Sequence, residues 1–207
     1  MNATLTVSRR RSVDWPAALR IAFGLVWAID ASLKWLPGFR SSFAAMLDGA
    51  AQGQPSWLHP WFQLWTGMSH SEATLLAYGT AATETAIAIA VLAGFARKTA
   101  YLGGAAYSLV IWAAAEGFGG PYQAGATDIG TAIIYTFVFL GLLILAAQSG
   151  PDEYCVDRYL ERRLSWWVRI AEVRPASRSL PVVPTVSAPD PDRQHSEDRA
   201  AMGSRHR

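Results

Sequence analysis

Glu84 stands in the middle of an apolar run, with no Lys or Arg three or four residues away on either side. A carboxyl in such a setting must reach Lys34 on another segment, hydrogen-bond to its neighbours Thr80 and Thr83, or keep its proton. Each outcome makes Glu84 a candidate for proton exchange. Asp30 is the second candidate, four residues before Lys34, a spacing at which the two can neutralise each other on one helical face. Lys34, with Arg40, is the candidate attractor for an anion. Trp27 and Trp112 could stack on a planar ring, and Glu116, Asp128 and Tyr135 complete a set of polar residues at the borders of apolar segments. Each also has a plainer reading. Asp128 suits a helix N-cap, Glu116 suits a solvated helix end, and Trp27, Trp112 and Tyr135 suit packing.

Other chemistries lack their residues. Cys155 is the one cysteine, so no internal disulfide and no CxxC pair exists. His59 and His70 with Glu72 show no HxH or HExxH spacing, so no metal is expected. No haem ligand pair, flavin fingerprint or iron–sulfur cysteine set is present, and electrons would pass directly between substrates or through a partner. A net charge of +2 gives no reason to expect nucleic acid.

The elements that must position these groups are helices in a membrane. Hydrophobic residues make up 51% of the chain, but 22 of the 34 charged residues lie in the first dozen residues and after Pro151. Four segments, 16–36, 73–95, 99–117 and 128–148, are long enough to cross about 30 Å of hydrocarbon at about 1.5 Å per residue. Asp14 before Pro16, a Ser69-x-x-Glu72 capping box and Thr127 or Asp128 mark helix starts. The expected fold is all-α: a four-transmembrane-helix bundle (16–148) behind a short N-terminal segment (1–15). A cytoplasmic amphipathic interfacial helix (149–174) and a disordered tail (175–207) follow.

Charge bias orients the bundle. Arg9 to Arg11 precede the first helix, Arg97 and Lys98 fill the turn between the second and third, and ten arginines follow the fourth. Both termini are expected in the cytoplasm of a bacterium, with the bundle in its inner membrane. Ala28-Ile-Asp-Ala31 imitates a signal-peptide cleavage site, but Arg20 interrupts the apolar run and Asp30 is a poor feature there. The outer stretch 38–71, with Trp57, Trp61, Phe62 and Trp65, is expected to lie in the interface. After the fourth helix, Val156, Leu160, Leu164, Trp167 and Ile170 fall opposite Asp157, Arg158, Glu161, Arg162 and Arg169 at helical spacing.

Within the bundle each helix carries one polar stripe: Arg20, Trp27, Asp30 and Lys34; Thr80, Thr83 and Glu84; Tyr101, Ser108, Trp112 and Glu116; Asp128, Thr131 and Tyr135. Lipid cannot face such stripes, so they should converge on the bundle axis, with the charged cluster in the outer half.

The segments Arg20-Ile-Ala-Phe-Gly-Leu-Val-Trp-Ala-Ile-Asp30, Lys34-Trp-Leu-Pro, Glu116-Gly-Phe-Gly-Gly-Pro121 and Thr127-Asp-Ile-Gly-Thr-Ala-Ile-Ile-Tyr135 resemble the DoxX/DoxD family over about 16–148. The resemblance implies four membrane helices. Through DoxD, it also implies the quinone-reducing membrane subunit of a thiosulfate:quinone oxidoreductase, with quinone as co-substrate and a second redox subunit as partner. Under that reading Lys34 and Arg40 attract a sulfur oxyanion, and Glu84 or Asp30 exchanges protons with quinone. Two alternatives stand beside it: a non-enzymatic anchor for a redox partner, and a small-solute or proton pathway. Homo-oligomers are compatible with each.

Overall fold

Asp14 opens helix α1 (Trp15–Lys34): its Oδ1 accepts from the Ala17 N–H at 3.2 Å, and Pro16 sits in the first turn, where no N–H is needed. The computed structural model describes residues 14–122 and 128–173. Beyond α1 it contains α2 (Pro37–Ala51), α3 (His59–Ala93), α4 (Arg97–Ala114), α5 (Thr131–Ser149), α6 (Val156–Arg163) and α7 (Val168–Ala171). The described residues are helical, with no strand. Three helical segments, Trp15–Lys34, Ser56–Ala93 and Thr131–Ser149, are long and apolar enough to cross a membrane.

Helix α1 packs on α3, α3 on α4, α4 on α5 and α5 back on α1, which closes a ring of four helices. Phe23, Trp27, Tyr135 and Phe139 fill its centre as an aromatic cluster, with Phe23 and Phe139 edge to face at 4.9 Å and Trp27 and Phe139 at 5.1 Å. Gly104 makes room for that cluster, because a Cβ there would stand 2.4 Å from the Phe139 ring. Gly104→Ala is therefore expected to cost about 1–3 kcal/mol through overpacking. Gly103→Ala meets nothing within 4 Å and should leave the thermal midpoint in detergent unchanged.

Several expected elements take a different form. The outer stretch is two helices rather than an interfacial loop: α2 lies against the first half of α3, and Phe43 and Leu47 pack on Ala77 and Ala114. Phe62 is buried and the Trp61 indole donates to the Ala113 carbonyl at 3.0 Å, so these aromatics face protein; Trp57 remains exposed. Helix α3 is two helical stretches joined at a kink at Glu72 (φ −133°, ψ 34°), so a helix does begin after the Ser69-x-x-Glu72 box as expected, but Ser69 donates to the Thr66 carbonyl and does not close that box. The expected helix 149–174 is two short ones, α6 and α7, and its faces differ from the pattern: Asp157 is fully buried, whereas Val156 is exposed. The tail from 174 onward and the N-terminal residues 1–13 lie outside the described residues.

Candidate functional site: a charged cavity beneath a helical cap

Lys34 is the last residue of α1, and Asp30 lies one turn before it. Its Nζ donates to Asp30 Oδ2 at 2.8 Å and approaches Glu84 Oε2 on α3 to 3.2 Å. Glu84 is 1% exposed. Of the three ways to accommodate its carboxyl, the structure places Lys34 across the bundle. The geometry is unequal, however: Oε2 receives no well-formed hydrogen bond from the described residues. The backbone at this point is fixed by Trp27, whose indole N–H donates to the Glu84 carbonyl at 3.1 Å.

These groups line a cavity of about 500 Å³, within the range of small-molecule sites. Its inner wall holds Trp27, Asp30, Lys34, Thr80, Glu84, Tyr107 and Tyr135, and its outer wall is formed by Phe39, Phe43, Met46 and Leu47 of α2 with Trp65 and Leu76 of α3. Helix α2 and the first half of α3 thus form a cap over the end of the four-helix ring that holds Lys34.

Six of the sequence candidates meet here: Trp27, Asp30, Lys34, Glu84, Glu116 and Tyr135. Three do not. Arg40 donates to the Tyr78 hydroxyl, with its guanidinium 4.9 Å from that ring. The Trp112 indole donates to the Ile129 carbonyl at 2.7 Å. Asp128, three residues ahead of α5, accepts from the Gly130 N–H at 2.8 Å, so it shapes the turn and does not cap the helix. The cap comes from Glu116, whose two oxygens accept from the Ala132 N–H at 3.2 and 3.0 Å. Tyr107 and the cap aromatics are the lining residues that sequence reasoning missed. Tyr107 lies one position from Ser108 of the expected stripe, and the stripe residues Tyr101 and Ser108 are buried elsewhere in the helix contacts.

The opposite end of the bundle holds a second charged cluster. Arg20, expected on the same stripe as Lys34, instead donates to the Val91 and Leu92 carbonyls at 2.8 and 2.6 Å and pairs with Asp152 at 3.3 Å. Arg97 pairs with Asp157 and Glu172 and donates to the Gly150 carbonyl at 2.8 Å. Asp157 also accepts from the Ala96 and Arg97 N–H groups at 2.7 and 2.9 Å, so α4 is capped by a residue 60 positions later. Burial, and then the Asp152 carboxylate that accepts its hydrogen bond, push the Cys155 thiol up to about 12. It is a poor nucleophile.

Burial first, and the adjoining Glu172 carboxylate second, push Glu161 up to about 7; Arg97 opposes this and Asp157 adds to it. The folded protein therefore holds a proton that the unfolded chain releases near 4.5. Stability from this group is complete below that value and is lost as pH rises through about 7. The thermal midpoint should fall between pH 5 and 8, and Glu161→Gln should flatten that slope.

Among the described residues no group of three or more His, Cys, Asp or Glu side chains is placed to hold a metal. His70 instead faces Asp48 at 2.9 Å. No protein-family model, characterised protein or solved structure matches the chain.

Proposed function

We propose that the protein is a quinone-binding membrane subunit of the DoxX/DoxD kind, with the ring of the quinone held in the capped cavity. The observation that carries this reading is the cavity wall itself. Aromatic faces from Trp27, Phe39, Phe43, Trp65, Tyr107 and Tyr135 surround one ammonium and two carboxyl groups, 2.8 and 3.2 Å apart from it. A flat ring gains contact area from the former, and its oxygens gain proton donors and acceptors from the latter. Reduction of a quinone to a quinol takes two electrons and two protons. Glu84 and Asp30 exchange the protons, and the electrons come from a sulfur compound or another reductant delivered by a second redox subunit.

In this reading α4 crosses the membrane with α1, α3 and α5, because it packs against α3 and α5 along its length. Trp15 at the start of α1 and Trp35 just after its end, both exposed, lie 20 residues apart, about 30 Å by helical rise, and serve as anchors at the two interfaces of a bacterial inner membrane. The cytoplasm lies on the side of the Arg20 and Arg97 clusters. A periplasm-dependent phosphatase fused after Gln54 should be active, and one fused at the C-terminus should be silent. The reverse pattern would overturn the orientation.

The functional test is titration of the purified protein in nanodiscs with a short-chain quinone, followed by tryptophan fluorescence. Quenching that saturates at one quinone per chain, and that weakens when Tyr135 is replaced by Ala, supports the reading. Absence of binding favours the anchor role, and solute flux in proteoliposomes favours the pathway role.

A further inference from the structure

Among the described residues Lys34 is the one Lys or Arg that lines the capped cavity, whereas Asp30, Glu84 and Glu116 line it with three carboxyl groups. The three are answered to different degrees. Glu84 is buried against the Lys34 ammonium at 3.2 Å, and Glu116 caps α5 by accepting from the Ala132 N–H. Asp30 shares that same ammonium at 2.8 Å, so one positive charge serves two carboxylates. In a setting of low dielectric the trio keeps an unbalanced negative charge, which a second cation would answer.

Asp30 is also the carboxylate of the trio that a ligand can reach. Its side chain is 38% exposed, against 2% for that of Glu84. The bond from Lys34 engages Oδ2, and Oδ1 accepts no hydrogen bond from the described residues. Around it stand the rings of Trp27, Phe39, Phe43, Trp65, Tyr107 and Tyr135. Aromatic faces carry the negative lobe of the ring quadrupole and attract positive charge. This cavity already shows the effect, since the Lys34 ammonium lies 5.6 Å from the centre of the Phe39 ring that α2 brings to it. An anion finds no such welcome: Lys34 is engaged twice, and Arg40 lies outside the cavity with Tyr78.

We infer that the cavity is a binding site for a lipophilic organic cation, a protonated or quaternary nitrogen carried on one or two aromatic rings, with Asp30 as its counter-ion and the cavity aromatics as its cage. A volume of about 500 Å³ admits a ligand of that size. This goes beyond the quinone reading and does not depend on it. Both ligands use the same ring faces and would exclude each other, but only the cation requires the charge of Asp30.

Equilibrium dialysis of the full-length protein in phosphatidylcholine nanodiscs, with empty nanodiscs as the reference, tests this on three probes of similar shape: 2-methylisoquinolinium, 2-methylnaphthalene and naphthalene-2-sulfonate. The expected result is saturation by the cation at one per chain, about tenfold or more tighter than the hydrocarbon, and no saturable binding of the sulfonate. Asp30→Asn, which leaves Lys34 beside Glu84, should weaken the cation about tenfold or more and shift the hydrocarbon by less than about threefold. A cation that binds no more tightly than the hydrocarbon, or that keeps its affinity in folded Asp30→Asn, overturns the inference and leaves the quinone reading untouched. Cation binding as expected, with no binding of 1,4-naphthoquinone as a fourth probe, does the reverse. The wild-type comparison of cation with hydrocarbon decides the matter even if Asp30→Asn fails to fold.

Discussion

Arg97→Ala is expected to lower stability by about 3 kcal/mol or more, because it removes one guanidinium that serves three partners on three segments. Arg97 is 2% exposed and joins α4 to Asp157 of α6, to the Gly150 carbonyl after α5 and to Glu172 after α7. Asp157 keeps other donors, the Ala96 and Arg97 N–H groups and the Trp167 indole, so the principal loss falls on Glu172 and Gly150. Against a total stability of about 5–15 kcal/mol this is a large fraction. Lys at position 97 keeps the charge but lacks the fork that reaches Asp157, Gly150 and Glu172 together, and should recover less than half the loss. Thermal unfolding in detergent and limited proteolysis of 150–173 measure both effects. A midpoint unchanged in Arg97→Ala would show that the cluster contributes nothing net.

If the proposed quinone reading holds, Glu84→Gln should leave the folded yield intact and reduce quinone-linked turnover on the order of 10²-fold or more, the usual size of a lost proton-transfer group. Gln matches Glu in volume. Lys34 also keeps its 2.8 Å contact with Asp30, so the variant strands no lone charge. Trp27 continues to hold the backbone, since it donates to the carbonyl of residue 84 and not to its side chain. The variant therefore separates titration from packing. The assay is quinol formation in membranes that contain the protein and its reductant-supplying partner. Glu84→Ala serves as a control for the packing contribution. Full activity in Glu84→Gln would leave Glu84 as a structural partner of Lys34.

Features encoded by neighbours along the chain were legible in the sequence. The Asp14-x-Pro16 start of α1, the apolar lengths of α1 and α5 and the Asp30–Lys34 pair depend on spacings of four residues or fewer, or on continuous runs. The helix ends that were misjudged depend on residues far away. Asp157 caps α4 across 60 positions and Glu116 caps α5 across 16, so neither helix carries its own Ser, Thr or Asp signal in the expected place. The outer stretch looked like an interfacial loop because its tryptophans suit a lipid boundary equally well. That Trp61 and Phe62 face protein follows only once α3 folds over the end of α4 and Phe118. Polar stripes identified eight of the cavity residues, whereas Tyr107 escaped because a one-residue rotation of α4 is invisible to periodicity.

The two ion clusters also differ in when the ribosome supplies them. Lys34 and Glu84 both belong to the first membrane hairpin, α1 and α3, so the Glu84 carboxyl has its counter-charge as soon as α3 enters the bilayer. Arg97 is made with α4, but its acidic partners, Asp157 and Glu172, follow α5 and are translated later. During synthesis the end of the bundle that holds Lys34 and Glu84 is thus electrically complete while the end that holds Arg97 is open, and α6 and α7 act as a closing latch. A nascent chain stalled before residue 157 should insert its first hairpin normally and still be recognised by quality-control proteases as unfinished.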